Sequence, residues 1–477
     1  MKSFPFLTSY DPPGTSEGAL DPLGLYQIAD HLAIQLVPAV RERMQRIRFL
    51  TAIAVGTLVT EGLEDDTRQR DASPYLVWEW LVVEALIRRM GDNPSVWGVP
   101  GTQVARRALE QQGYLDARSY LKTPRIFGFH GVYKRLASHV GLIDVNLSAG
   151  PGADALADIW ARGIGFGSLS EARPALSRWS DAVRRCLREK PPRSKPGWNG
   201  DEWERVAKAF APVEAKGRER RALRELLLSD GQRRLGALPP LWQLVEQAGD
   251  KDVNEELLHT QLGKLEPSYK PLLDAIRSYE TFARSLQDAF DVLKSEATSL
   301  DSQGFIVTRI SGDDDFKQSV KGLHAKFAAA HRALGEVAIV STSLQNLFSA
   351  RFAQFSEPLD SGSCALALCA HHEMIQQKKS ADGKRPWFDR VDSNRIYIRH
   401  AYREPRRDIA PGHYLHDYHG VPIRRFYKAR LYQLLAFFIL GSWTRVNSYR
   451  MSAVAPEPFM LGRGILRIRT VACRRIP

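Results

Sequence analysis

Two heptad patterns in the second half of the chain constrain its fold more than any other feature. Apolar residues recur at alternating steps of four and three; they are Leu272, Ile276, Tyr279, Ala283, Leu286, Phe290 and Leu293, then Phe316, Val320, Leu323, Phe327, Ala330 and Leu334. A spacing of about 3.5 residues aligns such side chains on one helical face. The acidic run Asp313 to Asp315 favours the start of the second helix. The patterns therefore predict a long antiparallel helical hairpin, with a partner-docking or oligomerisation coil as the alternative. The connection contains a strand-like segment, FIVTRI.

Helical periodicity is also present in the first 90 residues. The segment from Asp21 to Leu63 carries apolar residues at helical spacing, with a helix boundary near Pro38, because proline lacks an amide hydrogen. The segment from Pro74 to Met90 is apolar nearly all round, which predicts a buried helix. Four arginines that follow Pro38 are dispersed around the helix and do not line one face, and this dispersal predicts a solvated surface. They are Arg41, Arg43, Arg46 and Arg48.

The segment from Thr102 to Asp144 has the outline of a winged helix–turn–helix unit. One helix, TQVARRALEQQ, stops at Gly113, and a second begins near Gly131 with Lys134 and Arg135 on its outer face. LIDVNLSAGPG then supplies a strand and a wing. A winged-helix-like unit near 102–150 predicts contact with DNA, and a structural or protein-docking unit is the alternative.

A chain of 477 residues is too long for one ordinary core, so several domains are expected. EKPPRSKPGWNG, with three prolines and no periodicity, predicts a linker over 189–200. The predicted order is a helical N-terminal domain (1–188), the linker, a helical domain with the heptad hairpin (201–345) and a basic C-terminal α/β domain (346–477). The predicted fold class is mainly α with minor β.

The net positive charge of the chain comes from its C-terminal end, because the rest of the chain has as many acidic as basic residues. The net charge is +13, and the segment from His371 to Pro477 holds 17 Arg and 4 Lys against 8 acidic residues, which accounts for all of it. We call residues 371–477 the basic segment. Such asymmetry predicts a site for a polyanion, and the arginine bias favours phosphate, which a guanidinium binds with two hydrogen bonds. Nucleic acid is the favoured partner; an acidic protein or a merely solvated basic surface are the alternatives.

Aromatic residues are interleaved with the basic ones in QQKKSADGKRPWFDR and RIYIRHAYREPRR, a composition suited to a phosphate backbone and unstacked bases. The alternation in RIYIRH predicts a strand with arginines on one face, or an edge strand protected by charge. The predicted nucleic-acid contacts are Lys134, Arg135, Lys378, Lys379, Lys384, Arg385, Trp387, Arg395, Arg399, Arg403, Arg406, Arg407, Arg424 and Arg425.

Two clusters in this region contain possible metal ligands. CALALCAHHEMIQQKK holds Cys364, Cys369, His371, His372 and Glu373, and HYLHDYH holds His413, His416, Asp417 and His419. Neither has a recognised zinc or metallohydrolase spacing, and the cysteines resemble small apolar residues of a buried helix. Glu373 with Lys379 and Asp360 imitates a nuclease site but lacks its strand setting. The weak catalytic candidates are His372, Glu373 and His416, and the sequence predicts no metal and no cofactor.

Several features indicate a cytoplasmic protein. The N-terminal residues have no apolar signal core, and the four cysteines are scattered without a disulfide pattern. The most apolar run, Leu431 to Trp443, has 13 residues, short of the ~20 that span a bilayer, so a buried helix and no membrane contact are expected. P-loop, Rossmann, nucleophile-elbow and kinase motifs are absent from the sequence.

Four stretches are similar to an uncharacterised group of bacterial phage-defence proteins encoded beside helicases or nucleases. They are DPLGLYQIADHL, RMQRIRFLTAIAVGTLVTEGL, TPRIFGFHGVYKRLASHVGLID and HHEMIQQKKSADGKRPWF. This resemblance implies a DNA-binding subunit of a defence or restriction-like system, with other protein subunits that include a separate motor or nuclease. A metal-dependent nuclease with its site in the C-terminal domain is one alternative, and a scaffold that docks partners through the hairpin is another.

Overall fold

The computed structural model describes residues 21–40, 44, 46–63, 72–90, 99–120, 128–213, 215–248, 255–299, 304–337, 341–379 and 384–403. Predictions on Arg41, Arg43, the cluster HYLHDYH with His416, and the apolar run Leu431 to Trp443 lie outside the described residues. The same holds for four of the predicted nucleic-acid contacts, which are Arg406, Arg407, Arg424 and Arg425.

The first half of the described chain is helical. Its helices are α1 (Tyr26–Leu36), α2 (Phe49–Thr60), α3 (Pro74–Met90), α4 (Thr102–Gln112), α5 (Phe129–His139), α6 (Ala153–Gly163), α7 (Leu169–Arg188), α8 (Gly200–Phe210), α9 (Gly217–Leu227), α10 (Leu238–Ala248) and α11 (Glu255–Leu265). Helix α1 ends just before Pro38, and α3 is buried along most of its length, as predicted.

Four aromatic rings form the centre of this half. Trp78 of α3 lies 5.7 Å from Trp179 of α7, and Trp160 of α6 stacks on Phe210 of α8 at 5.4 Å, measured between ring centroids. Each indole N–H donates a hydrogen bond: Trp78 to the Ala52 carbonyl, Trp160 to the Ala209 carbonyl and Trp179 to the Glu202 carboxylate. Helices before and after residues 189–200 therefore share one core.

The segment predicted as a linker is hydrogen-bonded to the helices around it. The Leu115 amide donates to the Ser194 hydroxyl at 2.7 Å, and that hydroxyl donates to the buried carboxylate of Glu84 on α3. Arg185 of α7 donates to the Pro196 carbonyl at 2.8 Å. These bonds hold the segment against both α3 and α7, so α8 packs directly on α3.

Arg48 is buried, and the prediction that it lies on a solvated surface is wrong. Its guanidinium is 2% exposed and forms a double hydrogen bond with the Glu219 carboxylate, Nε to Oε1 at 2.9 Å and Nη2 to Oε2 at 3.0 Å. Its remaining nitrogen, Nη1, donates to the Ala211 carbonyl at 2.6 Å. This ion pair joins the start of α2 to α9.

The second half contains α12 (Lys270–Ser299), α13 (Asp314–Val320), α14 (Leu323–Gly335), α15 (Ser341–Phe352) and α16 (Ser361–Gln377). The first heptad pattern forms one helix, as predicted. The second is divided between α13 and α14, because Gly322 adopts a left-handed backbone with φ of 65°. The carboxylate of Asp313 accepts the Phe316 amide at 2.8 Å and caps α13, which confirms the predicted helix start.

The heptad residues of α12 face a core built from several helices. Phe282 lies at its centre, with ring centroids 5.8 Å from Phe327 of α14, 5.1 Å from Phe348 and 5.2 Å from Phe352 of α15. On another side, the Tyr279 hydroxyl donates to the Leu25 carbonyl at 2.6 Å, so α1 also packs against α12. The predicted helix pair is therefore embedded in a larger helical assembly.

A three-stranded antiparallel sheet accompanies these helices, in the order β1 (Phe305–Ile306), β3 (Arg395–Ile398), β2 (Phe388–Asp392). The strand-like FIVTRI segment supplies only the two residues of β1, followed by a 3₁₀ turn. Ile396 and Ile398 are buried while Arg395 and Tyr397 face the other way, as the alternation predicts. The prediction of a mainly helical chain with minor strand content is confirmed. In the described part of the chain, no helix is both long and apolar enough to cross a bilayer.

Helix α12 also carries a buried polar face. Arg284 pairs with Asp288 at 3.2 Å, Gln287 donates to Asp291 at 3.0 Å, and Lys294 lies 3.6 Å from Asp291. Asp288 is 4% exposed, and its Oδ1 has no hydrogen-bond partner among the described residues. Burial raises the pKa of Asp288 from 3.8 to about 6, against the nearby charge of Arg284.

This raised pKa predicts a pH dependence of stability. Between pH 3.8 and 6 the folded state retains a proton on Asp288 that the unfolded state releases. The stabilising contribution of protonated Asp288 is therefore fully present below pH 3.8 and is lost as pH rises through 6. We expect the unfolding free energy of the wild-type protein, measured relative to that of Asp288→Asn, to fall by about 3 kcal/mol between pH 3.5 and 7.5. Each pKa unit corresponds to about 1.4 kcal/mol. Urea denaturation across this range measures it. Asp274→Asn, in an exposed pair on the same helix, is the control; equal slopes for the two variants would contradict the assignment.

Candidate functional site

Five consecutive backbone carbonyls, those of residues 21–25, accept hydrogen bonds from side chains of the C-terminal helices. From α16 and the residue pair that follows it, Lys379 donates to Asp21 at 2.7 Å, His372 to Pro22 at 2.9 Å and His371 to Leu23 at 2.8 Å. The other two donors are Arg351 of α15, which binds the Gly24 carbonyl at 2.6 Å, and Tyr279 of α12, which binds the Leu25 carbonyl. We call residues 21–25 the clamped loop.

The backbone of the clamped loop forms a turn ahead of α1. Asp21 and Gly24 both have left-handed φ values, 75° and 70°. The Asp21 carboxylate accepts the amides of Leu25 and Tyr26 at 2.6 and 2.9 Å, which fixes the turn ahead of α1. A side chain at Gly24 would meet Ile375 at 2.7 Å, so glycine is required both by conformation and by space.

Both ring nitrogens of His372 are engaged. Because a carbonyl only accepts, Nδ1 carries the hydrogen that binds the Pro22 carbonyl, and Nε2 accepts the Trp387 amide at 2.9 Å. His371 donates from Nε2, and its Nδ1 is buried with no partner among the described residues. Burial lowers the pKa of His371 to about 4 and that of His372 to about 3. The pair is therefore neutral at pH 7.

The remaining catalytic candidate of α16 is also occupied. The Glu373 carboxylate forms a double hydrogen bond with Arg390 of β2, at 2.7 and 2.9 Å. Cys364 and Cys369 are buried, and burial raises the pKa of each thiol to about 12, so they behave as the apolar residues that the sequence indicates. In the described ranges no three His, Cys, Asp or Glu side chains converge as metal ligands would. His372 and Glu373 thus serve the fold and leave no free nitrogen or carboxylate for acid–base work.

Several predicted nucleic-acid contacts are engaged within the protein. Arg399 is 3% exposed and donates to the Pro386 carbonyl at 3.0 Å. Arg385 pairs with Asp389 at 2.7 Å, and Arg395 lies 3.9 Å from Asp392. Lys379 binds the clamped loop. Lys384 is half-buried, whereas Lys378 and Arg403 are exposed.

The aromatic residues beside them are packed as well. Trp387 stacks on Tyr402 with 4.8 Å between ring centroids, and the Lys294 ammonium lies 5.4 Å from the centre of the Trp387 ring. The Arg403 guanidinium lies 4.5 Å from the centre of Tyr397. Since neighbouring side chains already pack against the Trp387 ring, it offers little room for a base.

Helices α4 and α5 coincide with the two helical stretches that the sequence predicts between Thr102 and Asp144. Gly113 ends α4 with a left-handed φ of 76°, and on α5 Lys134 is half-buried while Arg135 is exposed. Residues 143–149 form a tight turn closed by an isolated bridge between Ile143 and Ala149, in place of a predicted strand. The turn holds Val145 at its tip, 91% exposed.

The remaining positive charge lies beyond the described residues. Residues 371–403 hold eight Arg and Lys against four acidic residues, a net charge of +4, whereas residues 404–477 hold 13 against four, a net charge of +9. Within the described part, three of the arginines face a carboxylate, and they are Arg385, Arg390 and Arg395. The excess is thus concentrated after Arg403.

Sequence reasoning missed the clamped loop. Its donors are separated from it by up to 358 residues, and no local pattern pairs them. The sequence shows the adjacent histidines His371 and His372 on an apolar helix, but it does not show which carbonyls they bind. No family model, no curated protein and no solved structure matches this chain.

Proposed function

We propose that this protein binds nucleic acid, with DNA as the favoured form, through the basic segment. The observation that carries the proposal is charge balance. The 370 residues before the basic segment hold 46 basic and 46 acidic groups, so they have no net negative charge with which to neutralise it. An unbalanced, arginine-rich surface attracts a polyanion, and phosphates are matched to guanidinium groups in geometry.

The arginines of the basic segment fall into two groups, those that form ion pairs within the protein and those that we assign to phosphate. Those at the start of the basic segment stabilise the fold through Glu373, Asp389 and Asp392. Residues 404–477 contain only four acidic residues for 13 basic ones, so ion pairs within that stretch leave most of its cations uncompensated. We therefore assign the main phosphate contacts to Arg403 and the arginines after it. Arg135 of α5 is proposed as a second, smaller contact within a winged-helix-like unit.

The resemblance to phage-defence proteins extends the proposal to partners. In that setting the protein is a DNA-binding subunit that acts with a separate motor or nuclease, and its own chain does not cut DNA. The occupied state of His372 and Glu373 supports this assignment, because neither side chain is available for acid–base chemistry. Purified protein that cleaves DNA with Mg²⁺ or Mn²⁺, and loses this activity in Glu373→Ala, would overturn that part.

The test is fluorescence anisotropy with labelled duplex DNA, single-stranded DNA and duplex RNA between 50 and 200 mM salt. Binding should weaken steeply with salt, because each phosphate contact releases a counterion and contributes about 0.9 to the slope of log Kd against log salt. The charge reversal Arg424→Glu/Arg425→Glu should lower this slope by about 2 and weaken binding at least tenfold, on the order expected for two contacts.

The matched control reverses two exposed arginines of α9, Arg218→Glu/Arg221→Glu, which changes the net charge equally. This variant should bind DNA with wild-type slope and no more than about a twofold loss from overall charge. Equal losses in both variants would mean that only total charge matters, and absence of wild-type binding at 50 mM salt would reject the proposal. Lys134→Glu/Arg135→Glu with unchanged affinity would remove α5 from the interface.

A further inference from the structure

The single imidazole ring of His372 forms hydrogen bonds with two separate parts of the chain. Its Nδ1–H holds the clamped loop through Pro22, and its Nε2 holds the amide of Trp387, the residue before β2. His371, the adjacent residue, holds Leu23 of the same loop. We propose that the His371–His372 pair is a proton-operated latch, whose protonation releases the clamped loop and the start of β2 from α16.

The geometry of the bonds fits only the neutral rings. Nε2 of His372 must keep its lone pair to accept the Trp387 amide; a proton there would place two N–H groups face to face at 2.9 Å. Protonation of His371 would place a new N–H on the buried Nδ1, which has no acceptor among the described residues. The ring centroids of Phe352 and Phe355 lie 5.2 and 5.6 Å from that of His371, so apolar side chains pack around this histidine. In each case the charged form loses a bond or remains unsatisfied.

The charges around the latch oppose protonation too. Arg351 of α15 and Lys378, just after α16, repel a charge on His371; Lys294 of α12 and Lys379 repel one on His372. On β2 the nearby cation is Arg390, which Glu373 of α16 neutralises. The clamped loop contributes one carboxylate, Asp21, which already accepts two backbone amides; burial raises its pKa. The surroundings of the two histidines are therefore predominantly positive. A proton gained by either ring is accommodated only when the clamped loop and the start of β2 separate from α16.

The opening equilibrium should respond strongly to acid. The ordinary pKa of histidine, 6.5, applies to the open state, and the closed state has pKa values of about 4 and 3. Between pH 7 and pH 5 the open state gains protons on both rings while the closed state gains few. We expect the ratio of open to closed molecules to rise by about five hundredfold. The stabilising effect is present above pH 6.5 and is lost as pH falls below it.

Hydrogen–deuterium exchange of the full-length protein at pH 7 and pH 5, corrected for intrinsic exchange rates, tests the latch. Peptides covering 22–36 and 384–392 should lose protection by about five hundredfold at pH 5, while peptides of α7 keep theirs. In His371→Gln/His372→Asn, whose amides can donate to the loop carbonyls without titrating near pH 6, the pH effect should disappear. His324→Gln, at an exposed histidine of α14, should behave like wild type.

Equal protection of these peptides at both pH values in the wild-type protein would overturn the proposal. So would a double variant that folds and keeps the full pH effect. If the double variant does not fold, histidine-selective NMR titration of the wild-type protein decides the question. Two ring signals that begin to titrate only below pH 5.5, together with loss of the folded signals, support the latch, and midpoints near 6.5 for all histidines reject it.

Discussion

Substituting Glu219 by alanine is expected to lower the free energy of unfolding by about 3–5 kcal/mol, the cost of leaving a buried charge without its partner. Glu219 is fully buried and supplies both carboxylate oxygens to the Arg48 guanidinium, which is 2% exposed. Among the described residues, the guanidinium then keeps only the Ala211 carbonyl as a hydrogen-bond partner. Urea denaturation followed by circular dichroism measures this loss.

Two controls separate the buried pair from electrostatics in general. Asp181→Ala breaks an exposed pair with Arg184 and should cost less than about 1 kcal/mol. The double substitution Arg48→Met/Glu219→Leu removes both charges and should recover most of the stability, since apolar replacements of buried ion pairs are often neutral. A Glu219→Ala loss no larger than that of Asp181→Ala would contradict the assigned role.

Replacement of Phe282 by alanine should have an effect of similar size, about 3–5 kcal/mol, because it removes the ring around which the C-terminal half packs. Phe282 is fully buried and contacts rings from α14, α15 and the turn after α15. A cavity at this position would loosen α12 against two helices. The loss should appear as a lower urea midpoint for unfolding of the C-terminal half. Hydrogen exchange of the α14 and α15 amides at increasing urea concentrations measures this midpoint.

The matched variant is Phe282→Leu, which keeps most of the volume and should cost about 1.5 kcal/mol or less. Tyr397→Ala, at a half-buried ring on the open face of β3, should cost less than Phe282→Ala. A Phe282→Ala protein with wild-type stability would mean that the ring cluster is not the centre of this core.

Local signals made much of the helical structure predictable. Pro38 ends the first helical pattern, Gly113 ends α4, and the carboxylate of Asp313 caps α13, each through an effect confined to a few neighbouring residues. The break at Gly322 was missed because Val320 and Leu323 continue the heptad pattern across it. Their spacing is compatible with one helix or two, and the non-helical backbone of Lys321 (ψ 120°) together with the left-handed backbone of Gly322 separates the cases.

Contacts between distant residues were not predictable in the same way. Arg48 lies among other arginines in the sequence, and its partner Glu219 is 171 residues away. His372 is in a composition that favours metal binding or catalysis, yet its two nitrogens meet Pro22 and Trp387. A single sequence gives the chemistry of a side chain, whereas its partner depends on how the helices pack.

The clamped loop also determines when the protein can finish folding during its synthesis. The hydrogen bond between the Pro22 carbonyl and His372 cannot form until His372, 350 residues later, has been synthesised. At ordinary translation rates of about 5–20 residues per second, this interval is roughly 20–70 s. The apolar face of α1 (Ile28, Leu32 and Leu36) leaves the ribosome well before α12, against which it packs. Helix α1 is therefore made early and packed late, first against α12 and then, through the clamped loop, against α16.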